Sequence, residues 1–218
     1  MKTDTLNILY EDKDIIVCVK PHGLATQSKR IGSPDLESLI KTHIAVNSAP
    51  ARPPYLAVIH RLDQPVAGIL VFAKTPFAAK ELNRQLQSDG FGKYYKAEVN
   101  GCPSAPEGTL ENYMIKDGRT NTSRICDKST SGAKLARLHY RTISSTPATT
   151  LLEIHLDTGR HHQIRVQLAH IGCPIIGDAK YTPAEKNSVK GYQELKLCAY
   201  KLTFRHPRTK KTMSFELP

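Results

Sequence analysis

HRLDQPVAG, residues 60–68, carries a carboxylate at a point where the flanking segments predict burial. AVIH runs into this stretch and GILVFAK runs out of it, so Asp63 lies where a strand meets a turn, between two apolar runs. A carboxylate in such a core favours a cationic or hydrogen-bonding partner, because an unpaired buried charge costs several kcal/mol. Alternatively, Asp63 only opens an Asx turn before Gln64 and Pro65, which is a common role of aspartate. The stretch alone leaves both interpretations open.

Strands and helices are mixed along the rest of the chain, with several short strand-to-strand links. Strands are predicted at residues 15–20, 57–62, 68–74 and 93–99, a hairpin at 136–143 and 149–157, and a last pair at 195–204 and 211–217. Helices are predicted from the cap signals Ser33-Pro34 and Thr75-Pro76 to about Val46 and Ser88, and over 161–171. Residues 100–135 are predicted as loops around one or two short strands. The pattern favours an α+β fold with a mixed, largely antiparallel sheet flanked by helices.

The composition predicts a soluble, intracellular protein with a polyanionic partner. The 218 residues suffice for one large domain or two intimately packed halves. Thirty-one lysines and arginines against twenty acidic residues give a net charge of +11, which suits nucleic acid first and an anionic membrane surface second. No apolar run approaches the roughly 18 residues of a membrane span, and no signal segment opens the chain. Five scattered cysteines without a CxxC pair argue against a disulfide framework and a cysteine-based zinc site.

The segment DTGRHHQIRVQLAHIGCPIIGD, residues 157–178, predicts a helix with an arginine beside its apolar stripe. Three residues recur at helical spacing and are predicted to face the core: Ile164, Leu168 and Ile171. Arg165 lies beside this stripe and would need an anionic partner in the interior. Asp63 is the candidate, since a guanidinium can hold a carboxylate bidentately. The alternative is an arginine that extends along the helix to water.

The chain carries no recognisable motif for metal, nucleotide or serine chemistry. Four histidines lie within sixteen residues, but they lack the HExxH spacing and an acidic cluster: His155, His161, His162 and His170. GxGxxG, P-loop and GxSxG patterns do not occur. We therefore expect no metal and no cofactor, and a metal-dependent hydrolase that uses the histidines is a minor alternative.

The segment KYYK places two tyrosines between lysines on a predicted strand. Because side chains alternate along a strand, Tyr94 and Tyr95 are predicted to point to opposite faces, one of them inward. A tyrosine in a basic pocket can stack on a flipped base, and the alternative is simple packing within the sheet.

Five segments follow one another along the chain: KPHGL (20–24), HRLD (60–63), KYYKAEVNG (93–101), GRHHQIRVQLAHIGCPIIGDAKY (159–181) and LCAYKLTFRHP (197–207). In this order they resemble the motifs of the RluA-like family of RNA pseudouridine synthases. The chain departs from the family pattern at His161, where threonine is usual, at Val66-Ala67, where Thr-Ser is common, and at Cys198, where histidine is common. None of these departures replaces the aspartate, tyrosine or second arginine of the family's site.

The resemblance implies an enzyme that isomerises specific uridines in ribosomal or transfer RNA to pseudouridine. It places the catalytic carboxylate on Asp63 and the active-site tyrosine on Tyr95. It places the family's arginine on Arg165, which would orient and charge-balance Asp63. Arg61 would occupy the gap left by the extruded base. Residues 1–218 would form the catalytic domain, without the separate N-terminal RNA-binding domain of some relatives.

The implied reaction breaks the bond from ribose to the uracil nitrogen and rejoins ribose to carbon 5, without redox change, phosphate donor or metal. One ionised carboxylate acts by attack on the sugar, by addition to the base or by abstraction of the 2′ proton, and the sequence leaves these open. The expected partner is RNA, with no membrane and no obligatory protein partner, and the expected state is a cytoplasmic monomer. The alternative is a catalytically silent RNA-binding domain on the same fold, which has no need for Asp63 together with Tyr95 and Arg165.

Overall fold

The computed structural model describes residues 6–28, 32–48, 53–88, 90–183 and 193–218. The chain divides into two compact units, the first Met1–Gly92 with Ala199–Pro218 and the second Lys93–Cys198. The helices are α1 (Leu36–Ser48), α2 (Pro76–Leu86) and α3 (Gln163–His170). The strands are β1 (Asn7–Glu11), β2 (Ile15–Lys20), β3 (Ala57–Val58), β4 (Ala67–Ala73), β5 (Phe91–Asn100), β6 (Glu107–Asp117), β7 (Thr122–Cys126), β8 (Lys134–Ser145), β9 (Thr149–Leu156), β10 (Leu197–Arg205) and β11 (Thr212–Glu216). The predicted α+β class is confirmed, and a single domain over 1–218 stays a prediction.

The first unit is built around a strand that is apolar along most of its length. β2 pairs antiparallel with β1 on one side and with β4 on the other, and β10 follows β4 in the sheet order. Because β2 is an interior strand, its residues 15–18 are completely buried. α2 packs its apolar face into the same core through Ala78, Ala79 and Leu82. This core supports the strand that leaves the HRLDQPVAG stretch.

The last residue of that stretch has to be glycine. Gly68 has φ of 135° and pairs with Lys20 in the ladder between β4 and β2. A Cβ at this position would lie 2.3 Å from the carbonyl oxygen of Ala199 and 2.6 Å from its Cβ, which is inside contact distance. The absence of a side chain therefore lets β4 approach the backbone at Ala199 closely.

The second unit is an antiparallel sheet in the order β5–β9–β8–β6–β7. β5 alternates buried and half-buried residues along its whole length, because one face packs on the core. α3 lies against this core, where Val166 clusters with Met114 and Ala136. The hairpin predicted at 136–143 and 149–157 is confirmed as β8 and β9.

Capping residues set the start of the first two helices. Thr75 caps α2 as predicted, and its Oγ1 accepts the N–H of Ala78 at 3.2 Å. The predicted cap at Ser33-Pro34 is wrong, because α1 begins two residues later. There the carboxylate of Asp35 accepts the N–H of Ser38 at 2.7 Å. An aspartate outcompetes the upstream serine as the cap acceptor here.

Other differences from the predicted elements have local causes. α3 begins at Gln163 instead of residue 161, because His162 has a left-handed backbone with φ of 55°. It ends at His170, so Ile171, predicted to face the core, lies beyond the helix and is 37% exposed. The strand predicted at 57–62 is only β3, and β6 is a long strand because β8 pairs with most of it. None of the helices in the described ranges is long and apolar enough to cross a membrane.

Candidate active site

Asp63 lies in a loop whose backbone is hydrogen-bonded on both sides of the residue. Before it, the carbonyl of Leu62 accepts from Oγ1 of Thr26 at 3.1 Å, and the Leu62 N–H donates to the same oxygen at 3.3 Å. After it, the carbonyl of Gln64 accepts the N–H of Gly23 at 3.1 Å, and its side-chain amide donates to the Gly23 carbonyl at 2.9 Å. Asp63 itself is half-buried. Residues 20–26 thus hold the chain immediately before and after the carboxylate.

The backbone turns directly after Asp63. Its carbonyl accepts the N–H of Val66 at 2.9 Å and so closes a turn over Gln64 and Pro65. This turn uses the backbone oxygen, so it gives no account of the carboxylate. Two residues before Asp63, Arg61 is exposed at the surface of the first unit.

A buried lysine lies beneath this loop. The ammonium of Lys20 donates to the carbonyls of Pro21 at 3.0 Å, Leu24 at 2.7 Å and Gln64 at 3.0 Å. Burial lowers the pKa of Lys20 to about 8, while the negative charge of Asp63 acts to raise it. Lys20 is therefore a cation within electrostatic range of Asp63, inside the KPHGL motif, and the sequence analysis gave it no role.

The two tyrosines of β5 point to opposite faces, as predicted. Tyr95 is buried and lies opposite Ile154 in the ladder with β9. Tyr94 is half-buried, and its ring stacks on His155 with 4.7 Å between ring centres. Tyr95 is thus the tyrosine that faces the interior of the second unit.

Arg165 is held by a carboxylate that the sequence analysis did not single out. Its Nε donates to Oδ2 of Asp178 and its Nη2 donates to Oδ1, both at 2.7 Å. The ring centre of Tyr181 lies 5.1 Å from the guanidinium carbon. The alternative of an arginine extending to water is wrong, because Arg165 is only 5% exposed. The hypothesis that Arg165 also charge-balances Asp63 stays a prediction.

Tyr181 connects this ion pair to a pair of stacked histidines and to β7. The N–H of Ser123 donates to the Tyr181 hydroxyl at 2.8 Å, and the hydroxyl lies 2.6 Å from Nδ1 of His162. Burial, assisted by the positive charge of Arg165, lowers the pKa of His162 to about 3. The imidazole is therefore neutral, and its Nδ1 shares a hydrogen bond with the Tyr181 hydroxyl. The ring of His161 stacks on His162 at 3.8 Å, and its Nδ1 lies 2.9 Å from Oγ of Ser123.

The other histidines of the 155–170 group have different surroundings. Nδ1 of His155 lies 3.6 Å from Oδ1 of Asp157, and His170 is exposed. In the part of the chain that the structure describes, the group with metal-ligand spacing is Asp12, Asp14 and His206. That group includes none of the predicted site residues.

The four predicted site residues are divided between the two units. Arg61 and Asp63 lie in the first unit, whereas Tyr95 and Arg165 lie in the second. Three further residues complete their surroundings and were not predicted: Lys20, Asp178 and Tyr181. All three lie inside motifs quoted from the sequence, and a lysine or aspartate within an apolar segment is the signal that could have indicated a buried partner.

Known proteins of one family match this chain. A family model described as RNA pseudouridylate synthase matches residues 14–170. The chain is 33% identical over 217 residues to the "Uncharacterized RNA pseudouridine synthase YlyB" of Bacillus subtilis, a match that covers 98% of this chain and 69% of that protein. It is 34% identical over 223 residues to "Ribosomal large subunit pseudouridine synthase D" of Nitrosomonas europaea, with 98% and 62% covered. The chain spans about two thirds of the length of these relatives.

The fold has a close counterpart among solved structures. The structure of human RNA pseudouridylate synthase domain containing 4 superposes with a TM-score of 0.79 over 97% of this chain and 88% of that chain, at 22% identity. The segment matched by the family model contains Asp63, Tyr95 and Arg165. Sequence relatives and family model agree, and the chain belongs to the RNA pseudouridylate synthase family.

Proposed function

We propose that this protein isomerises specific uridines of ribosomal or transfer RNA to pseudouridine, with Asp63 as the catalytic carboxylate. The observation that carries the proposal is the fixed loop around Asp63, held by Thr26 at Leu62 and by Gly23 and Lys20 at Gln64. An aspartate that only opens a surface turn needs neither this bracing nor a buried cation nearby. A fixed, half-exposed carboxylate suits a nucleophile or a proton acceptor, because catalysis depends on precise placement.

The proposed reaction is an isomerisation in which every atom is conserved. The bond between ribose C1′ and uracil N1 breaks, a bond between C1′ and C5 forms, N1 gains a proton and C5 loses one. One ionised carboxylate and a route for the C5 proton meet these demands. Asp63 supplies the carboxylate, by attack on the sugar, addition to the base or abstraction of the 2′ proton.

The remaining site residues have supporting roles in this proposal. Tyr95 contacts the flipped uracil from β5, and Arg165 orients and charge-balances Asp63. Arg61, exposed two residues before the carboxylate, fills the gap that the extruded base leaves. Base extrusion costs a few kcal/mol and least in a loop, so an unpaired uridine is the expected target.

Ribosomal RNA is the first substrate to test. The relative from Nitrosomonas europaea is named for the large ribosomal subunit, and the net charge of +11 suits a phosphate-rich partner. We expect the protein to act in the cytoplasm as a monomer, without an obligatory protein partner.

The decisive experiment is site-resolved pseudouridine mapping of total RNA from cells with and without this protein. Add-back of the intact protein, of Asp63→Ala and of Asp127→Ala completes it, because Asp127 is an exposed aspartate outside the proposed site. We expect one or more defined uridines to lose the modification, and the intact protein and Asp127→Ala to restore it. Asp63→Ala is expected to bind RNA and to form no product.

If the cells show no change, the purified protein is assayed for pseudouridine formation on transcribed ribosomal and transfer RNAs. Substantial product from Asp63→Ala would remove Asp63 from its assigned role. RNA binding by the intact protein without product on any transcript would favour the silent RNA-binding domain.

A further inference from the structure

A cavity in the second unit lies apart from all four predicted site residues. It has a volume of about 560 Å³, is open to solvent and is bordered by β6, β7, the start of β8 and the segment before α3. Nine residues line it: Met114, Ile115, Lys116, Ser123, Gly132, Lys134, Gly159, Arg160 and His161. The volume is in the range of pockets that hold small ligands, about 300 to 1,000 Å³.

The cavity is lined by positive charge without matching carboxylates. Lys116, Lys134 and Arg160 are exposed at its wall, and no acidic residue lines it. Among the described residues, neither lysine has a hydrogen bond or an ion pair through its side chain. Arg160 is anchored differently, since its Nε donates to the carbonyl of Leu135 at 2.8 Å. The cations are thus available to an anion from solution.

The electrostatics of the neighbouring His162 agree with this charge distribution. Its pKa is lowered first by burial and then by Coulombic interaction with Arg165, His161, Lys180 and Lys116. Lys116 and His161 line the cavity, so the positive potential extends from the cavity into the α3 region.

The two lysines share one face of the sheet formed by β6, β7 and β8. Lys116 pairs with Ser123 in the ladder between β6 and β7, and Lys134 pairs with Met114 in the ladder between β6 and β8. Since side chains alternate along a strand and cross-strand partners point to the same face, Lys116 and Lys134 lie on the face of Ser123, whereas Ile115 points to the other face. The cavity thus presents its cations from one side of the sheet.

We propose that this cavity binds a backbone phosphate of the RNA that flanks the isomerised uridine, through Lys116, Lys134 and Arg160. The proposal rests on the proposed function in taking RNA as the ligand. The flanking assignment follows because Asp63, Tyr95 and Arg165 do not line the cavity. The cavity is then a determinant of which uridine is selected.

The test measures binding of a transcribed ribosomal RNA stem-loop to the Lys116→Ala/Lys134→Ala double variant, as a function of KCl concentration. Both lysines are exposed, so the substitutions leave folding intact, as thermal unfolding verifies. We expect Kd to rise about tenfold or more, and the slope of log Kd against log salt to fall by about two, one for each lost phosphate contact. The Lys13→Ala/Lys80→Ala variant, with the same charge change at exposed positions of the first unit, is expected to bind as the wild type does.

Equal effects of the two double variants, or no effect of the cavity variant, would overturn the proposal. The assay forms no product, so its outcome is independent of catalysis. A protein that binds RNA through the cavity yet makes no pseudouridine would overturn only the proposed function.

Discussion

The ammonium of Lys20 joins two distant parts of the sequence beneath the proposed catalytic loop. Two of its three acceptors, Pro21 and Leu24, lie in its own motif, and the third, Gln64, is 44 residues away beside Asp63. A charge buried in an apolar strand costs free energy, as its pKa of about 8 reflects, and the three hydrogen bonds offset that cost. The sequence identified the motif but not this contact, because a lysine at a strand end is ordinarily exposed.

Lys20→Met removes the charge and the three donors while it keeps a long apolar side chain. We expect the free energy of unfolding to fall by about 3 kcal/mol, because buried carbonyls lose their partner. We expect product formation at saturating RNA to fall about tenfold or more, because the loop of Asp63 is no longer fixed. Urea unfolding and single-turnover kinetics measure the two effects.

Lys41→Met is the matched control for this variant. Lys41 pairs with Glu37 on α1, and its side chain is 43% exposed, so its loss is expected to be nearly neutral. Wild-type turnover by Lys20→Met would show that the loop keeps its geometry without the buried ammonium.

His162 makes the stability of the protein depend on pH. Its pKa is about 3 in the folded state, against an ordinary value of 6.5, because burial disfavours the charged form. As pH falls below about 6.5 the unfolded chain binds a proton that the folded protein does not, so stability decreases with falling pH. The stability that the neutral His162 contributes to the folded protein is fully present above pH 6.5 and is lost progressively towards pH 3.

His162→Asn tests this linkage, since asparagine tolerates the left-handed backbone at φ of 55°. Between about pH 7 and pH 4, we expect the wild type to lose about 3 kcal/mol more stability than the variant. Urea unfolding at both pH values gives the difference. The same substitution at the exposed His170 is expected to keep the wild-type pH dependence. Parallel curves for wild type and His162→Asn would contradict a neutral buried imidazole.

For single residues, the sequence predicted which charged residues are withdrawn from solvent better than it predicted which residues they contact. Asp63 and Arg165 were selected as charges within apolar segments, and both are withdrawn from solvent, Asp63 partly and Arg165 almost fully. Asp178 was not recognised as the partner of Arg165, because the two lie 13 residues apart on different elements and only the fold brings them together. Side-chain spacing along a helix cannot supply such a pairing.

At the scale of elements, the hairpin of β6 and β7 is held in place by contacts with α3, with His161 and with the loop after α3. Ser123 of β7 donates its N–H to the Tyr181 hydroxyl and contacts His161 through its own hydroxyl. Ile125 of the same strand packs on the cluster around Val166. These contacts fix the hairpin that forms one wall of the basic cavity.

Tyr181→Phe removes only the hydroxyl of this attachment, while the ring stays next to Arg165. We expect amide hydrogen exchange in β6 and β7 to accelerate about tenfold, because two buried hydrogen bonds are lost. Exchange in β2 and β4 of the first unit is expected to stay unchanged. Hydrogen-exchange mass spectrometry gives both rates.

Tyr113→Phe provides the comparison, since Tyr113 lies on β6 but its hydroxyl makes no hydrogen bond with the described residues. Acceleration in both variants, or throughout the chain in Tyr181→Phe, would mean that the hydroxyl does not anchor the hairpin specifically.

The elements were predictable wherever local chemistry decided them. The Thr75-Pro76 signal predicted α2, since the cap and the proline act within one turn of the helix. The length of β6 was not predicted, because its sequence is polar and its length follows from pairing with β8. Strand β3 also ends at Val58, and the backbone of Leu62 bonds to the side chain of Thr26, a tertiary contact that the local sequence does not indicate.

For the whole molecule, charge is the property that the sequence predicted most directly. A net charge of +11 was available from composition, as was the α+β class from the order of elements. Two halves were an open alternative to one large domain, but the assembly of the first unit from both ends of the chain was not predicted, because only tertiary contacts bring β10 beside β4.

The same charge predicts the state of association. Like charges on two copies repel each other, so we expect a monomer of 24.2 kDa over a wide range of protein concentration. Light scattering after size exclusion measures the mass, and about 0.5 M salt provides the control because it screens the repulsion. A mass that doubles with rising concentration at low salt would contradict the expected monomer.

The burial of Lys20 also gives the protein an internal chemical reporter. Amine-reactive reagents acylate lysines in their neutral form, and a pKa of about 8 would make this amine unusually reactive if it were accessible. Because Lys20 is fully buried, the reagent reaches it only when the loop of Asp63 separates from the KPHGL segment. The rate at which Lys20 is acylated therefore measures how often the proposed catalytic loop opens, without any substrate present.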